Sequence, residues 1–243
     1  MAGMTFKSVA SSTLYFDHCS PRIPLLPETN AVTTPITGRD GVYDFDRDSR
    51  ATRPIPVDCL IKASTEAELI TRLAAAAVWL SGSGWLVFDH DATKRWWAKV
   101  YQGVDQDRVP KAARFTVLFE CYPYAEDVNA TTGTIGTAQD YGSAVEFYPV
   151  ITVTKSGSTA TSLQVGIAST GKYVLVTDSI AAGDVLVFNM ETGKVTKNGT
   201  ACMSKVSLDS LFFSVPTGTQ TISVTTTSTY TAAISYRKRY LYA

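Results

Sequence analysis

The chain has 243 residues, room for one large domain or two ordinary ones and for a core that needs no covalent staples. Its 22 basic and 22 acidic side chains cancel, which excludes a strongly basic nucleic-acid binder and a polybasic membrane-surface protein. With 18% charged and 45% hydrophobic residues it is not a disordered chain, and its near-neutral surface is compatible with self-association.

From the N-terminus, residues 1–21 carry one early lysine and no long apolar run, so no signal peptide is expected. No stretch is apolar for long enough to cross a membrane as a helix. A strand is predicted at Met4–Val9. Pro21, Pro24, Pro27 and Pro35 then keep the chain extended. Gly38-Arg39-Asp40-Gly41 is a turn, followed by the alternating Val42-Tyr43-Asp44-Phe45-Asp46. Ile55–Ile61 reads as a strand, and Pro56 points to an edge position. The spacing of Leu69, Ile70, Leu73, Ala76, Ala77 and Leu80 predicts a helix over 65–80. Thr65 and Glu68 have the capping-box spacing, and Ser81-Gly82-Ser83-Gly84 ends the helix. Strands follow at Trp85–Phe88, Trp96–Tyr101 and Arg114–Tyr122. The first part is thus α+β, one helix on antiparallel strands.

Composition changes near residue 130. Residues 1–130 hold 30 of the 44 charged side chains, and residues 131–243 hold 21 threonines, which favour strands. The small, polar stretch from Asp127 to Thr137 reads as a linker. The expected division is 1–127, a linker over 128–143, and a second domain over 144–243. Strands are predicted there at Val150–Thr154, Leu163–Ile167, Tyr173–Thr177, Asp184–Asn189, Val206–Phe213, Thr221–Thr226 and Ala232–Arg239. Seven strands without a helical stripe make an all-β sandwich.

The chemistry on offer is thin. Cys19, Cys59, Cys121 and Cys202 are scattered, with no metal-binding pair, and read as buried thiols. Asp89-His90-Asp91 could bind a metal or move a proton, but nothing is placed to complete it, and it reads as a solvated turn. His18 and Cys19 are neighbours on an extended chain, so they point to opposite sides and form no dyad. Trp79 and Trp85 read as core. Of Trp96 and Trp97, one must face inward and the other outward, where it could meet a protein. Arg237-Lys238-Arg239 reads as a solvated strand edge. The residues therefore describe an interaction or structural protein: no enzyme, no cofactor, no metal.

Several passages recur in a telling order. In the first half they are Gly38–Phe45 with Arg53–Val57, the helix end Ala77-Val78-Trp79-Leu80, Leu86–Asp89 leading to Trp97–Val100, and Phe115–Ala125. In the second they are Gly183–Asn189, Gly193–Gly199, Leu211–Gly218 and Ile234–Leu241, with Thr219-Gln220 as a minor departure where Asn is common. Together they resemble the distal tail protein (Dit) family of bacteriophages with long non-contractile tails, also called baseplate hub proteins. The resemblance spans nearly the whole chain.

The resemblance implies a tail-tube-like N-terminal domain, antiparallel sheets with one helix, that assembles into a hexameric ring. A galectin-like β-sandwich would hang on its outside. The ring would sit at the tail tip of the virion, after assembly in the host cytoplasm. It would join the tail tube protein to the tail-associated hub or lysin protein, anchor receptor-binding proteins in many members, and pass DNA through its bore. No membrane insertion is implied. Residues 28–53 have the composition of an arm onto the adjacent subunit, with Val42, Tyr43, Phe45 and Trp96 as interface candidates. Asp44, Asp46 and Asp48 are channel-lining candidates, since passing DNA should be repelled. The rival reading is a carbohydrate-binding module using an exposed aromatic on the sandwich.

Overall fold

The computed structural model describes residues 3–30, 33–44 and 49–242, Asp44 by its backbone alone. Phe45, Asp46 and Asp48 lie outside the described residues. The chain forms two units. One runs to Val128 and includes the chain from Leu241 on; the other is Asn129–Tyr240. Among the described residues the structure is mostly strand, with one α-helix.

The first unit begins with β1 (Met4–Phe6) and β2 (Val9–Ala10), two short strands where one was predicted. Lys7 and Ser8 both take positive φ, 50° and 64°, and so turn the chain back on itself in a tight hairpin. β3 (Phe16–Pro21) follows, then β4 (Thr33–Pro35) and β5 (Val42–Asp44). β6 (Arg53–Lys62) precedes α1 (Glu66–Leu80). Next come β7 (Ser83–Phe88), β8 (Lys94–Val100), β9 (Gln106–Val109), β10 (Ala112–Cys121) and β11 (Ala125–Asp127). The main sheet has the order β2-β1-β7-β8-β10-β6-β3, with β9 also beside β10 and β11 beside β8.

Two long strands set its core. On β6, Ile55, Val57, Cys59 and Ile61 face inward, opposite Phe119, Val117, Phe115 and Ala113 of β10. That alternation is the period-two pattern of a half-buried strand. α1 covers the same core. Thr65 Oγ1 accepts the Glu68 amide at 3.2 Å, and Glu68 Oε2 accepts the Ser64 amide at 2.8 Å, so the capping box closes one residue further out than its simplest form. Trp79 donates from Nε1 to the Phe6 carbonyl at 3.0 Å and meets Phe6 and Phe16 edge-on.

β6 is not the edge that Pro56 led us to expect; it lies between β10 and β3. The geometry explains why proline is tolerated. The Pro56 carbonyl accepts the Arg22 amide at 2.9 Å, on the β3 side. Main-chain groups of one residue share a side in an antiparallel strand, so the donor that Pro56 lacks would also point there, at the end of β3. Pro54 has the same phase and lies beyond the reach of β3. The ladder to β10 loses nothing.

The second unit holds β12 (Thr131–Thr134), β13 (Gln139–Asp140), β14 (Val150–Lys155), β15 (Ala160–Ile167) and β16 (Tyr173–Ile180). β17 (Val185–Asn189), β18 (Lys194–Lys197), β19 (Thr200–Ala201), β20 (Thr219–Gln220), β21 (Ile222–Thr226) and β22 (Tyr230–Tyr236) complete it. One sheet is β12-β22-β14-β17-β18-β19, another β16-β15-β21, and β13 pairs with β20. The two larger sheets share one core: Ile151, Val153, Phe188 and Ile234 from the first meet Leu163, Val165, Val174 and Val224 from the second.

Two expectations need correction here. The stretch 128–143, read as linker, contains β12, whose threonines pair along β22, and β13. The predicted strand Val206–Phe213 is not one. Ser210 donates its amide to the Ser207 carbonyl at 3.1 Å, and its Oγ accepts the Leu175 amide at 3.0 Å. The local turn and the serine hydroxyl's bond to the main chain of β16 take the place of a regular ladder.

Candidate assembly surface

Between β3 and β6 the chain leaves the sheet and returns. The base of this excursion is tied: Asn30 donates its amide to Ser49 O at 2.9 Å, and Ala51 to Glu28 O at 2.8 Å. Further out, β4 pairs with β5 through Thr33 and Asp44, Thr34 and Tyr43, and Pro35 and Val42. Gly38 and Gly41 take φ of +82° and +86°, which the reversal at the tip requires. Among the described residues neither strand pairs with any other, and every side chain from 33 to 43 is exposed. Val42 is 60% exposed, Tyr43 47% and Ile36 45%. A two-stranded ribbon with its apolar side chains in water is marginal by itself. It is the natural candidate for a contact with another chain.

The interface candidates thus separate. Val42 and Tyr43 sit on this exposed hairpin. Trp96 does not: it is 1% exposed, on the inward phase of β8, with the Arg53 guanidinium 4.9 Å above its ring. It cannot meet a neighbouring subunit. Arg53 is itself fully buried and donates to the carbonyls of Pro24 (3.2 Å) and Leu241 (2.5 Å). Burial, with no carboxylate partner among the described residues, lowers its pKa from the usual arginine range. Of the channel-lining candidates, the backbone of Asp44 lies in β5.

The outward tryptophans are Trp97 and, against expectation, Trp85. They oppose each other across β7 and β8 and meet edge-on at 5.0 Å. Arg95 lies 3.7 Å over the Trp85 ring and is held by Glu126 at 2.9 Å from Nε. This layer is packing on the outer face, capped by a paired cation. Beside α1, a groove of about 370 Å³ is lined by Leu73, Ala77, Leu80, Val100, Val104 and Phe115.

Nothing resembling a catalytic centre gathers among the described residues. Asp89, His90 and Asp91 form one exposed turn in which Asp91 Oδ1 accepts the Thr93 amide and hydroxyl, and His90 stacks on Phe88. The Thr93 hydroxyl is the main cause that lowers the Asp91 pKa. His18 is exposed and Cys19 buried, on opposite faces as predicted. No cluster of three or more metal-ligating side chains occurs among the described residues. In the second unit Phe147, Phe188, Phe213 and Tyr236 belong to the core.

The second unit also shows what the Gly183-Asp184 and Asn198-Gly199 passages do. Asn198 (φ 51°) and Gly199 (φ 80°) form the tight turn between β18 and β19. The Asn198 side chain accepts the Val185 amide at 2.8 Å and donates to Asp184 Oδ1 at 2.8 Å. Asp184 Oδ2 in turn accepts the Ala181 amide at 2.8 Å, and Lys197 bridges Asp184 and Asp178 at 3.2 and 3.0 Å. The Asn198 and Ala181 bonds hold the Asp184 carboxyl below its ordinary range, and Lys197 does the same for Asp178. The two passages clasp two turns of one sheet.

Residues 11–121 match the phage tail protein RIFT-related domain, and residues 142–240 match the C-terminal domain of the siphovirus-type tail component. The chain belongs to the siphophage distal tail protein family. Distal tail proteins are tail components, so the family places this chain in the bacteriophage tail. Among solved structures the chain is similar to the Dit protein of phage SPP1, described as a paradigm of the hub adsorption apparatus in phages infecting Gram-positive bacteria. Identity is 16% over 99% of both chains, with a TM-score of 0.85, a likeness of fold. A chain of the phage p2 baseplate in its activated conformation matches at 9% identity over 100% of both chains, with a TM-score of 0.49. No curated protein matches the sequence.

Proposed function

We propose that this distal tail protein is the ring-forming hub of a siphophage tail tip. Six copies close a ring through their N-terminal, tail-tube-like domains. The ring joins the tail tube to the hub or lysin protein below it, with the bore left open for DNA. The second domain, a galectin-like sandwich in this reading, lies on the outside and anchors receptor-binding proteins. Asp44, Asp46 and Asp48 are, in this reading, the candidates for lining the bore. Assembly takes place in the host cytoplasm.

The observation that carries the reading is the exposed β4–β5 hairpin, Thr33–Pro35 against Val42–Asp44, on the unit that matches the tail-protein domain. One protruding arm per copy is a heterologous contact, and heterologous contacts close into rings when the rotation per copy fits. Ile36, Val42 and Tyr43 are each about half exposed. Covering what remains contributes about 1 kcal/mol per side chain, from ~1.5–3 for full burial. Each contact in the ring would then lose about 2–3 kcal/mol without them.

The test is solution mass by light scattering across a concentration series, with negative-stain imaging. The expected result is a mass near six monomers and annular particles. The double variant Ile36→Asp/Val42→Asp should abolish assembly while the monomer's thermal midpoint stays unchanged. A strict monomer, alone and mixed with its tube protein, would overturn the ring. Normal rings from the double variant would overturn the role of the arm.

A further inference from the structure

The base of the arm contains a pair of thiols. Cys19 on β3 lies directly opposite Cys59 on β6. Both are buried, at 0% and 4% exposure, and their sulfurs are 3.9 Å apart. Their place in the ladder is decisive. The Arg22 amide bonds its opposite number, Pro56 O, so that pair is hydrogen-bonded. Counting back along the ladder, 21 and 57 are non-bonded, 20 and 58 bonded, and 19 and 59 non-bonded. Non-bonded antiparallel pairs bring Cα atoms to about 4.5 Å, within the span a disulfide bridges. The other two cysteines differ. Cys121 is buried on β10 with its thiol toward the Phe119 carbonyl, and Cys202 lies in the second unit toward Val195 O.

We propose that Cys19 and Cys59 form a latent cross-strand disulfide, a dithiol site for a low-molecular-weight disulfide oxidant that turns it into a covalent clamp beneath the arm. The two thiols are not equivalent. The Cys59 hydrogen bond lowers the Cys19 pKa, helped by Ser11, while the same bond and burial raise that of Cys59. Cys19, on the last strand of the sheet and the acceptor of the Cys59 hydrogen bond, is the attacking thiol, reacting as its thiolate. It displaces one half of the oxidant as a thiolate and forms a mixed disulfide. Cys59 then loses its proton to solvent and attacks the Cys19 sulfur, expelling the other half. Two protein thiols are oxidised to one disulfide, and one oxidant is reduced to two thiols. β3 is the last strand of its sheet, so local opening of an edge, and not global unfolding, admits the oxidant.

The bond would span the whole excursion. The arm leaves the sheet after Pro21 and returns at Arg53, so a 19–59 link ties exit to entry without touching the hairpin. A copy folded in a reducing compartment would carry the open dithiol, and one exposed to an oxidising medium would carry the clamp.

The experiment incubates the full-length protein with oxidised glutathione at pH 8, counts free thiols by maleimide mass shift, and maps disulfides after proteolysis. Two of the four thiols should disappear, the linked peptides should contain Cys19 and Cys59, and the thermal midpoint should rise and fall back with dithiothreitol. Cys59→Ser should lose the rise; Cys121→Ala should keep it. Refolding from urea in the same oxidant removes any barrier of access, and there the 19–59 link should dominate. The proposal is overturned by a different dominant pairing on refolding, or by an oxidised form that melts below the reduced one.

Discussion

Asn198 does two things at once, and two substitutions separate them. Its side chain makes two hydrogen bonds of 2.8 Å, to the Val185 amide and to Asp184 Oδ1, and its backbone holds φ at 51°. Both bonds lie at the surface, so each contributes about 0.5–1 kcal/mol. A residue with a Cβ and no compensating side-chain bond adds about 1 kcal/mol for the left-handed conformation. Asn198→Ala should therefore cost about 2–3 kcal/mol, and Asn198→Gly, which keeps the turn but not the bonds, about 1–2. For a unit of this size about 4 °C of midpoint follows each kcal/mol, so the melts should fall by about 8–12 °C and about 4–8 °C. Calorimetry of the full chain resolves the second unit's transition. Equal losses in the two variants would show that backbone conformation contributes nothing, and no loss in either would refute the clasp.

Other outcomes follow from the same packing. Asp184 and Asp178 titrate below their ordinary value of 3.8, so the stability they contribute is complete above about pH 4 and drains away as pH falls through their lowered values. A melting series from pH 7 to pH 2.5 should show this acid loss, shallower in Lys197→Met. Gly157→Ala would put a Cβ 2.0 Å from Ser228 Oγ and 3.0 Å from the Thr229 amide, a backbone neighbour that cannot step aside. It should cost about 1–3 kcal/mol by urea titration. Gly103→Ala, with nothing within 4 Å, should stay within about 0.5 kcal/mol of the parent.

Much of the molecule is legible in its sequence, and the exceptions have physical causes. α1 announced itself because its start signal and most of its apolar stripe agree: Thr65 and Glu68 do cap it, and Leu69, Ala76 and Leu80 do face inward, although Ile70 and Ala77 of the expected stripe are exposed. The family resemblance is borne out by two domain matches in the expected order. Alternation in Trp96-Trp97 demands one ring in and one out, but nothing local says which. The sheet turns Trp96 inward with Ala98, and Arg53, distant in sequence, closes over its ring. Pro56 misled because its missing donor signals an edge only if a neighbour needs that donor, and here the neighbouring strand ends. Val206–Phe213 has a strand's composition, yet Ser207 and Ser210 close a local turn and Ser210 Oγ takes the Leu175 amide of β16. As for the assembly surface, Gly38, Gly41 and the alternation after them foretold a turn and a strand. That β4 and β5 stand apart from every other described strand is a tertiary fact.

The phase of Pro54 and Pro56 has a consequence for how copies of the chain can meet. Where β3 stops, β6 runs on toward Arg53 with one flank beside residues 22–28 of its own chain: Pro56 O takes the Arg22 amide at one end, and the Ala51 amide goes to Glu28 O at the other. The two prolines turn their nitrogens to that flank and have no hydrogen to offer. An incoming strand that displaced this segment would find no donor at either proline, so each register it tried would leave carbonyls of its own unmet. The ledge beside the arm is thus closed to casual strand exchange by its own chain and by the two prolines together. Contacts between copies are steered away from open-ended sheet growth, which has no natural stopping point, and toward the discrete ribbon that stands clear of it.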